Sequence, residues 1–182
     1  MKRIILYGSV YGTSRRYAEE LSGRTGIPAV SARERADLSD STCVIHIGGL
    51  YAGGVEGLKD TLQKLPQNRE YDFLLVTVGL ADPKDPKNIG NIRASLEKQL
   101  PKELYQKMKL FCLRGGIDYK KLNLKHRTMM WMMYQHLKKL PENERPDDAQ
   151  AIIDTYNSKV DFVDFDSLAP IEEALDEMKP AE

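Results

Sequence analysis

Apolar residues fall in short unbroken runs, and between the runs they recur every three or four positions. The first habit is that of strands buried on both faces, the second that of amphipathic helices. The runs predict strands over 4–7, 29–32, 43–49, 73–79 and 108–113. The helical spacing predicts helices over 13–24, 55–65 and 89–100, with a short turn over 104–107. Pro66 and Pro101 follow two of these helices and stop them. Strands alternating with helices predict an α/β fold, a parallel sheet covered on both faces with right-handed crossovers. Ligands of such sheets sit at the carboxyl ends of the strands. Those ends are the glycine-bearing loops 8–14, 49–54, 79–85 and 114–118.

The alternation lapses over 117–159. A Met-rich helix is predicted over 121–140 and a second helix over 147–157, capped by Asp147 or Asp148, with Pro141 and Pro146 between them. A strand-like run over 160–165 and a final helix over 167–178 close the chain. The expectation is one domain over 1–182, with 117–159 as a helical insertion.

The chain has 182 residues, with 27 basic and 27 acidic side chains, so no net charge recommends nucleic acid as a partner. Cys43 and Cys112 both fall in strand-like runs and read as buried free thiols of a reducing compartment. No metal-ligand spacing is present. With no signal peptide in evidence and no apolar stretch of membrane-spanning length, a cytoplasmic protein is expected.

The chemistry begins in the first loop. Strand 4–7 runs into Gly8, Ser9, Val10, Tyr11, Gly12, Thr13 and Ser14, and a helix follows. A helix N-terminus offers unpaired N–H groups and a positive dipole end, and Ser9, Thr13 and Ser14 add hydroxyl donors. No Lys follows Gly12, which sets the loop apart from a nucleotide triphosphate loop, and dinucleotide-type glycine spacing is missing. What remains suits a single phosphate. This pattern resembles the phosphate loop of flavodoxins, which holds the phosphate of FMN. The resemblance implies a doubly wound, five-stranded parallel sheet of order 2-1-3-4-5, and an FMN-binding protein of electron transfer. The balanced charge departs from the acidity with which many flavodoxins dock their redox partners.

Two further loops are expected at the flavin. Leu50, Tyr51, Ala52, Gly53 and Gly54 follow the third strand, and Tyr51 has the flat face that stacking on an isoalloxazine ring requires. The resemblance places Ala52, Gly53 and Gly54 near the flavin N5. Gly79, Leu80, Ala81 and Asp82 follow the fourth strand and would supply the other ring contact, without the stacking aromatic many flavodoxins carry there. No catalytic residue stands out.

The insertion helix carries Met129, Met130, Trp131, Met132 and Met133, with Lys120, Lys121, Lys125, Arg127, Lys138 and Lys139 around them. A core helix and a surface for lipid, quinone or a partner are both open readings. His126 and His136 read as surface or capping residues. The run Arg127-Thr128-Met129-Met130-Trp131 resembles the insertion of the flavodoxin-domain family that includes menaquinone-dependent protoporphyrinogen oxidase. That likeness implies an alternative, a quinone-dependent oxidase of haem biosynthesis, peripheral to the inner face of the membrane. A further alternative is a flavin-free interaction module acting through the Met helix. The partner would be a redox protein or a small-molecule or quinone acceptor.

Overall fold

A computed structural model describes residues 2–51, 54–67, 69–145 and 149–178. The main strands are β1 (Arg3–Gly8), β2 (Ala29–Ser31), β3 (Cys43–Tyr51), β5 (Asp72–Gly79) and β6 (Lys109–Arg114). They pair in parallel in the order β2-β1-β3-β5-β6. This is the 2-1-3-4-5 order expected of the five principal strands. Between β3 and β5 lies an unanticipated strand, β4 (Gly54–Val55), antiparallel to the end of β3.

Side-chain alternation sends neighbouring residues of each strand to opposite faces. Ile5, Ile45, Leu74 and Val76 pack with Tyr17, Ala18 and Leu21 of α1 (Thr13–Thr25) and with Ile171 and Leu175 of α7 (Ala169–Glu177). Leu6, Val44, Phe73 and Leu75 face the other way. They meet Leu58 of α2 (Leu58–Leu62), Ile92 and Leu96 of α3 (Pro86–Gln99), and Leu104 of α4 (Lys102–Lys107). All of these strand residues are fully or almost fully buried, which is why the strands read as continuous apolar runs.

Three expectations differ from the observed elements. The helix predicted over 55–65 is only Leu58–Leu62, because the chain first folds back as β4 and pairs Leu50 with Val55 and Tyr51 with Gly54. The returning backbone passes directly over β1. A Cβ at Gly8 would stand 1.8 Å from the carbonyl oxygen of Glu56, so only glycine fits at that position. The turn predicted over 104–107 is the helix α4. The helix expected from 89 starts earlier, at Pro86, where the Asp85 side chain accepts from the N–H of Lys87 at 3.0 Å.

The late helices leave and rejoin the sheet through a two-stranded ribbon. It pairs β7 (Gly116–Asp118) with β8 (Lys159–Asp161) in antiparallel fashion. The strand-like run at 160–165 is therefore short and lies outside the main sheet, and Phe165 belongs to a helical turn instead. Within the insertion, α5 (Leu124–Lys139) packs on α6 (Ala149–Thr155) through Leu137, Met130, Ala149 and Ile152. The rings of Tyr134 and Tyr156 stack beside them at 3.9 Å. The capping positions Asp147 and Asp148 lie outside the described residues. Tyr17 fastens the return, donating to the carbonyl of Arg114 at 2.7 Å and accepting from the N–H of Asp164 at 3.0 Å.

Candidate functional site

The site follows from where the strands end. β1, β3, β5 and β6 all stop at the same edge, and the insertion brings α5 across it. Between them lies a cavity of about 450 Å³.

Its first wall is the loop from β1 to α1. Gly12 takes φ +94° as the residue before the helix, a conformation that favours glycine. No side chain caps α1, and its first turn holds no acidic residue. Ser9 Oγ accepts from the N–H of Gly12 at 3.0 Å and so shapes the loop. Ser9, Tyr11, Thr13 and Ser14 line the cavity. Ser14 is 2 % exposed, its hydroxyl turned toward Gly49, where a Cβ would lie 3.4 Å from it. Arg15 and Arg16, at the same helix start, pair with Glu19 and Asp161 at 2.7 Å each. The result is an uncapped helix start with hydroxyls beside it, the chemistry that holds a phosphate.

The second wall is the end of β3. Leu50 and Tyr51 line the cavity, and burial pushes the Tyr51 phenol up to about 12. Ala52 and Gly53 lie outside the described residues. Gly54 sits in β4, outside the cavity lining. A buried histidine braces this hairpin. His46 lies in β3 with Nδ1 2.8 Å from Thr61 Oγ1 and Nε2 3.0 Å from the carbonyl oxygen of Glu56. Burial lowers it to about 4, so it is neutral.

The third wall is the end of β5. Gly79, Leu80 and Ala81 line the cavity, with Pro83 and Asn88 beyond them. Asp82 does not. It is an exposed turn residue, whose carboxylate accepts from the N–H of Lys84 at 2.9 Å. Val10 is likewise exposed and outside the lining, and Gly12 shapes the loop without lining it.

The remaining walls include the 114–118 loop, expected at this edge, and two residues the sequence did not single out for the site, Cys112 and His126. Cys112, Gly115 and Ile117 come from β6 and the ribbon, and Met129, Met130, Met132, Met133 and His126 come from α5. Cys112 is half-buried and faces this space, where Thr77 Oγ1 lies 3.4 Å from its sulfur, whereas Cys43 is buried in the core. His126 is not a simple surface residue. Its Nδ1 lies 2.6 Å from the hydroxyl of Tyr11, and its ring stacks on Tyr51 at 5.7 Å and 24°. Among the described residues no three His, Cys, Asp or Glu side chains gather as a metal site.

The residues present fit a phosphate monoester carrying a flat ring: hydroxyl and helix-start donors at one end, and Tyr51 and small residues at the other. The sequence pattern of the flavodoxin domain family matches residues 4–144. The chain belongs to that family. Membership carries a flavodoxin-like, flavin-type redox function in general terms. No curated protein matches the chain.

Proposed function

We propose that the protein binds FMN in this cavity and transfers electrons through it. The observation that carries the reading is the uncapped start of α1 beside Ser9, Thr13 and Ser14, opening into the same cavity as Tyr51. FMN, when bound, supplies the one- and two-electron chemistry. The chain's own residues hold it. Thr13 and Ser14 hydroxyls and the α1 amides would hold the phosphate, and Tyr51 and residues 79–81, which line the same cavity, would hold the ring. The test is reconstitution. The purified protein mixed with FMN should take up one equivalent and show a protein-bound flavin spectrum. No uptake would leave the flavin-free interaction module as the better reading.

A second reading is favoured by the insertion. Four Met side chains of α5 line the cavity, and such side chains adapt to apolar molecules of varied shape. This supports an oxidoreductase acting on an apolar small molecule over a carrier whose ring meets only other proteins. The quinone-dependent protoporphyrinogen oxidase is the named form of that reading. Quinone reduction by the FMN-loaded protein, with and without a porphyrinogen donor, separates the two.

We further propose that the outer face of α5 meets an anionic lipid surface. Leu124 is 83 % and Trp131 51 % exposed there. The helix carries Lys125, Arg127, Lys138 and Lys139 and no acidic residue. No helix among the described residues is long and apolar enough to cross a membrane, so the contact would be interfacial.

A further inference from the structure

The cavity holds an acid–base side chain that electron transfer alone does not use. No Asp, Glu, Lys or Arg lines it among the described residues, and its proton-exchanging side chains are Tyr11, Tyr51, Cys112 and His126. Burial pushes Tyr51 up to about 12 and raises the Cys112 thiol as well, so both keep their protons at neutral pH. Histidine is the side-chain type that changes charge near neutrality.

His126 is held on two sides. Tyr11 of the phosphate loop meets Nδ1 at 2.6 Å, and Tyr51 of β3 stacks on the ring. A hydroxyl can accept from a protonated Nδ1 and donate to an unprotonated one, so this anchor survives either state of the ring. The Tyr11 hydroxyl also accepts from the N–H of Asn123 at 3.3 Å, which fixes its own place. Nε2 has no hydrogen-bond partner among the described residues. The charged neighbours in sequence, Lys125 and Arg127, are exposed.

We propose that His126 is the acid–base residue of this cavity, passing a proton through Nε2 to the molecule that accepts electrons there. The proposal rests on the flavin reading above. A quinone-type acceptor gains two electrons and two protons. FMN, when bound and reduced, would supply both electrons and one of the protons. The second proton leaves the imidazolium: the Nε2–H bond breaks, an O–H bond forms on the acceptor, and the neutral ring regains its proton from water.

The experiment compares wild type and His126→Gln, both loaded with FMN, reduced by light and mixed with a water-soluble benzoquinone across about pH 5 to 8. Wild-type reoxidation should slow as pH rises across this range. His126→Gln should react about tenfold or more slowly at the acid end and lose the pH dependence. The ring-nitrogen NMR titration of His126 should also move when the bound FMN is reduced. Superimposable pH profiles, or an unmoved titration, would overturn the proposal while leaving FMN binding intact. A variant that keeps the profile but loses FMN affinity would make His126 a phosphate-binding residue and overturn it too. Failure of wild type to hold FMN would sink the proposed function, and this inference with it.

Discussion

The Tyr11 hydroxyl lies 2.6 Å from His126 Nδ1, a contact between residues 115 apart in sequence. It ties the phosphate loop to the insertion helix. Through the stack of His126 on Tyr51, it also ties both to the end of β3. Three of the elements that wall the cavity therefore meet at one imidazole.

Removing that hydroxyl should loosen α5 first. Tyr11→Phe is expected to cost about 1 kcal/mol, the scale of one hydrogen bond, and to raise amide exchange at the start of α5 with little change in the core strands. Unaltered exchange there would mean the contact does not hold the helix.

His46 makes stability depend on pH. Its ordinary value of 6.5 falls to about 4 in the folded chain through burial. The unfolded chain thus takes up a proton first as pH drops. The stability contribution is complete above about 6.5 and is lost progressively toward about 4, by about 3 kcal/mol at most. Urea unfolding of wild type and His46→Gln at neutral and mildly acid pH checks this. The variant should be weaker at neutral pH but lose less on acidification. Equal losses in both proteins would place the acid sensitivity elsewhere.

The fold was legible where burial is two-sided. Strands buried on both faces leave an unbroken apolar run, so β1, β3, β5 and β6 stand out from residue type alone. β4 did not, because two residues, Gly54 and Val55, carry no periodicity and their pairing is set by the backbone crossing Gly8. The hydroxyls of the first loop were legible because a strand, small residues and a helix succeed one another locally. His126 was not, because its partners Tyr11 and Tyr51 lie far away in sequence. The cavity-facing and core-facing sides of α5 look alike as methionine. Met130 packs with Leu137 and Ile152, whereas Trp131 stands outside. Asp82 suggested a site residue only by following a strand.

Tyr51 should report on the flavin ring. Tyr51→Ala is expected to weaken FMN by about 1 kcal/mol and to raise the fluorescence of the bound flavin, through loss of an aromatic contact. Unchanged affinity and fluorescence would put the ring elsewhere in the cavity.

The outer face of α5 offers an independent test. Vesicles containing phosphatidylglycerol should bind the protein, and vesicles of phosphatidylcholine alone should not. Added salt should weaken the contact, at about 1 kcal/mol per cation near the surface. Trp131→Ala should reduce binding while the FMN spectrum stays as it is. Equal binding to neutral vesicles, or none to anionic ones, would rule out the lipid contact.

The central claim is that the start of α1 holds the phosphate of FMN, and the most direct measurement is the affinity of the protein for FMN set against riboflavin. Charged hydrogen bonds of about 1.5–3 kcal/mol each predict a preference for FMN of at least about 100-fold. Thr13→Val with Ser14→Ala should erase most of that preference by weakening FMN and leaving riboflavin nearly unchanged. Equal affinity of the wild-type protein for the two flavins, or equal loss of both in the variant, would contradict a phosphate site at this loop.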